Sequence, residues 1–120
     1  MNISTIKDKN SVLRIYFNYM LKNDFIETLE YMSNLISVSS EYIGYYFTED
    51  SYGNVDCNGG VTFFVNDADI NITYEEFCFL LDRVADYYIN KNDCDIESIK
   101  KIHACLNKIC NTGTTHTTEQ

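Results

Sequence analysis

Four residues, Thr73-Tyr74-Glu75-Glu76, constrain this chain more than any others. They spell a capping box: the Thr73 hydroxyl can accept from the Glu76 amide while the Glu76 carboxylate reaches back to the Thr73 N–H. Ile72 before the cap and Phe77 after it are spaced for a hydrophobic staple. The spacing then predicts a helix with Tyr74, Phe77, Cys78, Leu81, Val84, Ala85, Tyr88 and Ile89 on one face. That three-four repeat must be buried against a partner layer.

The preceding segments supply the layer. Tyr42–Phe47 and Val61–Val65 read as strands, the second with Val61, Phe63 and Val65 on one face. Asn66-Asp67-Ala68-Asp69 is turn chemistry, and Ile70-Asn71-Ile72 should return antiparallel. Thr48–Gly60 is a polar loop. Upstream, Asn10 or Ser11 can cap a helix to about Lys22 with Val12, Ile15, Tyr16, Tyr19 and Met20 inward. Asp24, with Glu27 three residues on, can cap a second helix facing inward through Ile26, Leu29, Met32, Leu35 and Ile36. Ser37-Val38-Ser39-Ser40 ends it. Asp93 or Asp95 starts a last helix through about Cys110, with Ile96, Ile99, Ile102, Leu106 and Ile109 inward.

The expected fold is therefore α+β: two N-terminal helices, a three-stranded antiparallel sheet, and two C-terminal helices packed on the sheet. At 120 residues the chain reads as a single domain over 1–120. Its ordered core is expected at about 10–110, with a frayed polar tail over 111–120 and a frayed Met1–Lys9. Such a length needs no metal or disulfide to hold a core.

Charge narrows the function. The net charge is −9, and from Glu41 to Glu97 thirteen acids face only Arg83 and Lys91. Like charge repels, so nucleic acid and anionic membrane are poor partners and a basic protein is a good one. No apolar run resembles a signal peptide or a membrane helix, which leaves the chain expected in the cytoplasm. The five cysteines include no CxxC pair and fit reduced thiols.

Catalytic and metal constellations are weak. Asn54–Gly59 resembles half a calcium loop, but the twelfth position, which needs a bidentate Glu, is Val65. Asp67 and Asp69 could serve a small magnesium-dependent hydrolase, yet the turn and the capping box account for most of the local carboxylates. His103 and Cys105 are two apart on a helix and point to different faces, and His116 sits in the Thr-rich tail. No catalytic residue, metal or cofactor is expected. An acidic nucleic-acid mimic would need carboxylates along an extended face, whereas here they cluster in loops. Most aromatics read as core. Tyr52, between Asp50 and Gly53, is the exception: either a binding anchor or a ring folded back on the sheet.

The stretch from Tyr42 to about Ile109 resembles a known family. The residues that carry the resemblance are Tyr42-Ile43-Gly44, Gly59-Gly60-Val61-Thr62-Phe63, Asp69–Phe77, and Leu80, Leu81 and Tyr87-Tyr88 of the following helix. The second helix, Phe25 to Asn34, also fits. The resemblance is to the ribonuclease-toxin immunity proteins of bacterial contact-dependent growth inhibition systems. Where that family has an acidic residue before the Gly-Val strand, this chain has Asn58-Gly59-Gly60. The resemblance implies a non-enzymatic antidote that binds a cognate toxin nuclease domain and blocks its active site. A ribonuclease site attracts phosphate and is basic, so an acidic partner is steered to it. The expected toxin-binding residues are Glu49, Asp50, Tyr52, Asp56, Asp67 and Asp69.

Overall fold

The computed structural model describes residues 9–118, and the side chains of residues 11–111. The fraying expected of the N-terminus concerns residues that, Lys9 apart, lie outside that range, as does the side chain of His116. The elements are α1 (Lys9–Lys22), α2 (Phe25–Ser33), β1 (Val38–Ser39), β2 (Ile43–Phe47), a 3₁₀ turn (Cys57–Gly59), β3 (Val61–Val65), β4 (Ala68–Ile72), α3 (Tyr74–Lys91) and α4 (Ile96–Thr118). The fold is α+β with four helices and an antiparallel sheet in the order β1-β2-β3-β4. The sheet thus has four strands, not three.

The extra strand comes from how α2 ends. The helix stops at Ser33 instead of continuing through Ile36. Leu35 takes a left-handed φ of 59°. The Ile36 amide then donates to the Tyr31 carbonyl at 2.9 Å, and the Leu35 amide to that of Met32 at 3.0 Å. This pair of bonds is a Schellman exit with leucine where glycine is usual. It sends Val38 and Ser39 alongside β2, pairing Val38 with Tyr45 and Ser39 with Gly44. Tyr45 fastens the link by donating its hydroxyl to the Ile36 carbonyl at 2.5 Å. Gly44 is required there, because a Cβ would lie 2.5 Å from Ser39 Cα.

The sheet has one buried face. Tyr45, Phe47, Val61, Phe63, Val65 and Ile72 point into the core. Phe63 is its centre, with ring contacts to Tyr16 at 5.1 Å, Phe17 at 5.4 Å, Tyr45 at 6.1 Å and Phe77 at 6.2 Å. α1 lies across β3 and β4, while α4 packs on α2 and α3. The inward stripe of α1 leans toward Phe17, which packs on Phe63. Tyr19, expected inside, is 44% exposed as a result.

The capping box forms as the sequence requires. Thr73 Oγ1 accepts from the Glu76 amide at 3.0 Å, and Glu76 Oε1 accepts from the Thr73 amide at 3.0 Å. Tyr74, Phe77, Leu81 and Ala85 are buried behind it. The box expected at Asp24 does not form. Asp24 is left-handed (φ 53°, ψ 51°) and makes no side-chain cap. An N-cap side chain needs extended backbone to reach the helix amides. Asp95, not Asp93, caps α4, accepting from the Ser98 amide at 2.8 Å. α4 continues beyond Cys110 to Thr118.

Candidate functional site

The register decides which acidic residues can act together. Phe47, Val61 and Ile72 are aligned across β2, β3 and β4, so the connection from Thr48 to Gly60 lies at that end of the sheet. The β3–β4 turn lies at the other end, beside Ile43 and Val65. Four residues along a strand separate the two ends, or about 13 Å. Glu49, Asp50, Tyr52 and Asp56 therefore form one group and Asp67 with Asp69 another.

The first group is built on an ordered tip, not a slack loop. Glu49 bridges Val55, and the Asp50 amide donates to the Asn54 carbonyl at 2.8 Å. Asp50 Oδ1 accepts from the Tyr52 amide at 2.8 Å and the Asn54 amide at 3.0 Å. The Asn54 and Tyr52 amides hold the Asp50 carboxyl below the usual carboxylate range. Gly53 turns the chain with φ 85°. Tyr52 stands at the tip, 87% exposed, so its ring is not folded back on the sheet. Asp56 plays a second structural part: its Oδ1 accepts from the Asn58 amide at 3.1 Å and caps the 3₁₀ turn. That turn delivers Gly60 with φ 78° under the Ile72 carbonyl, which a Cβ would strike. Two of the expected site carboxylates thus shape the loop that presents them.

The second group sits on a two-residue hairpin. Val65 pairs with Ala68, Asn66 takes a left-handed φ of 53°, and its amide donates to the Tyr42 carbonyl at 2.7 Å. Asp67 and Asp69 are both exposed, and Asp69 is the cross-strand partner of Phe64. Among the described residues no three His, Cys, Asp or Glu side chains are grouped to hold a metal ion.

The expectation that aromatics other than Tyr52 are mostly core is too strong. Tyr19, Tyr31, Tyr42, Tyr46, Phe79 and Tyr87 are exposed as well. Strand alternation carried the signal for Tyr46: with Tyr45 and Phe47 inward, Tyr46 must face out. It does, 46% exposed, with its ring 6.5 Å from that of Phe64. Phe79 and Tyr87 fall off the apolar face of α3, where Arg83 and Lys91 lie over their rings.

Burial raises the thiols of Cys57, Cys78 and Cys105 above their ordinary range. No disulfide joins any of the five cysteines. Burial, then a hydrogen bond with Cys110, pushes the Cys78 thiol up to about 12. No helix among the described residues is long and apolar enough to cross a membrane.

No curated protein and no solved structure matches the chain. The profile of one family, described as CDI immunity protein, matches residues 9–103. That span starts with α1, includes the whole sheet with both acidic groups, and ends inside α4. Membership implies neutralisation of a toxin, in keeping with the resemblance read from Tyr42 to Ile109. The chain belongs to the CDI immunity protein family.

Proposed function

We propose that the protein neutralises a cognate toxin nuclease, a ribonuclease, by binding its C-terminal domain in the cytoplasm and covering the basic active site. It acts by occupancy and performs no catalysis. One observation carries this reading. From Asn23 to Asp82 the chain has twelve carboxylates and no lysine or arginine. Every described lysine and arginine side chain lies on a helix instead. Two of those bases are turned to internal use: Lys101 pairs with Glu30 at 3.0 Å, and Lys108 bonds Asn34 Oδ1 at 2.5 Å. The sheet and its connections are thus an unopposed negative surface, suited to a site built to hold phosphates. Glu49, Asp50, Asp56, Asp67 and Asp69 supply the charge, with Tyr52 as an anchor at the tip.

The test is stopped-flow association with the purified cognate toxin domain. Electrostatic steering raises on-rates by roughly 10–1,000-fold and is screened by salt. The on-rate should fall about tenfold or more between low and high ionic strength. Asp50→Asn and Asp56→Asn are the informative changes, since an amide oxygen keeps the acceptor that shapes the loop. Reversal to lysine would remove charge and acceptor together. With Glu49→Gln, Asp67→Asn and Asp69→Asn added, the salt dependence should flatten. Association indifferent to salt in the wild type would overturn the reading.

A further inference from the structure

The two acidic groups leave a surface between them that neither accounts for. Residues alternating with the core set point to the other side of the sheet: Tyr46, Thr62, Phe64, Asp69 and Asn71. The helices pack on the opposite, buried face, through contacts such as Tyr16 and Phe77 with Phe63. On the outer face Tyr46 and Phe64 form an aromatic pair at an interplanar angle of 44°. Beside it the Asn71 side chain donates through Nδ2 to Thr62 Oγ1 at 3.0 Å and to the Gly59 carbonyl at 3.1 Å. This ties the face to the root of the acidic loop. Asp69 borders the pair on the side of the hairpin turn. The arrangement is an apolar aromatic centre with carboxylates beyond both ends and no base anywhere on the strands or their connections.

We propose that this outer sheet face, centred on Tyr46 and Phe64, is the surface that seats the toxin domain, the acidic loop and hairpin turn gripping basic residues on either side. The inference rests on the neutralising role proposed above and assigns it a contact centre. The occupant follows from charge complementarity: a carboxylate-rimmed face without a single cation matches a partner whose substrate groove is cationic at its edges. Rigid aromatics at the middle of an interface hold most of its affinity, and the polar rim excludes water and sets the approach. The sheet is a better platform for a basic partner than the outer side of α3, because there the cations of Arg83 and Lys91 lie over the exposed rings of Phe79 and Tyr87.

Titration calorimetry and dissociation kinetics with the purified toxin domain test this, using Tyr46→Ala, Tyr46→Lys and Phe64→Ala. Phe79→Ala and Tyr87→Ala on α3 serve as comparisons, and thermal melts confirm folding. Tyr46→Ala should weaken binding about tenfold or more, mainly by faster dissociation, and Tyr46→Lys further by placing a cation against a basic partner. The α3 variants should stay within about twofold. If Phe64→Ala lowers the melting temperature, the exposed Tyr46 changes decide alone. Wild-type protein that binds with salt-sensitive association while both Tyr46 variants match it would overturn the sheet face and leave the electrostatic reading standing. Loss at Phe79 instead would move the surface to α3. No binding by the wild type would remove both.

Discussion

Tyr74 offers a mutation whose expected sign runs against the usual one. Its ring is buried at the first turn of α3, 5.5 Å from Phe77, and its hydroxyl is shut off from solvent with no hydrogen-bond partner among the described residues. A buried polar group left unpaired costs about 1–3 kcal/mol. Tyr74→Phe deletes that penalty and keeps the ring contact. The void left by one oxygen, roughly 10–15 Å³ at about 24 cal/mol per Å³, returns only ~0.3 kcal/mol. The variant should therefore be more stable by about 1 kcal/mol, although most core substitutions destabilise. Urea unfolding reads this as a higher midpoint at unchanged slope. A lower midpoint would refute the reasoning and show that the hydroxyl is held. The thiols of Cys57, Cys78 and Cys110, close enough to act on the Tyr74 phenol, would be the groups to examine.

Two further outcomes follow from the same corner of the molecule. Thr73→Ala should cost about 1 kcal/mol by removing the acceptor of the Glu76 amide, measured in urea, and should leave toxin affinity unchanged. A large affinity loss at unaltered stability would place the start of α3 in the interface. The Cys78 thiol, raised from near 9 to about 12 by burial, stays protonated in the folded chain after it has ionised in the unfolded one. Its stabilising contribution is complete below about pH 9 and is lost as pH rises toward 12. Unfolding midpoints between pH 8 and pH ~10.5 should then fall less steeply in Cys78→Ala than in the wild type. Equal slopes would assign the alkaline loss to other groups, such as the buried phenols of Tyr16 and Tyr45, which burial also raises.

What the sequence made legible follows the physics of short range. The capping box at Thr73 needs only residues three apart, and the α3 face and the β3–β4 hairpin need only their own periodicities. β1 could not be read this way. Val38 and Ser39 have no apolar alternation, and they become a strand because Leu35 accepts a left-handed backbone and Tyr45 reaches Ile36 from nine residues downstream. The cap at Asp24 failed for the complementary reason. Its residue types suit a capping box, but the packing of α1 against α2 demands a tight reversal, which Asp24 provides with its backbone instead of its side chain.

The candidate site shows the same division. Acidity is a property of composition and was plain from the start, as was the loop that bears Tyr52. Whether the carboxylates act as one patch depends on register, and the sheet places Asp50 and Asp69 toward opposite ends of the strands. That separation gives the outer face its significance. A patch concentrated in one loop could hold only one edge of a basic groove. Two groups toward opposite ends of strands that span about 13 Å, with Tyr46 and Phe64 between them on a hydrogen-bonded sheet, can on this reading meet both edges at once without ordering a flexible chain on binding. On the proposed reading, the helices that bear the lysines pack on the core side of the sheet, and the outer face offers the toxin an aromatic centre with carboxylates toward both ends.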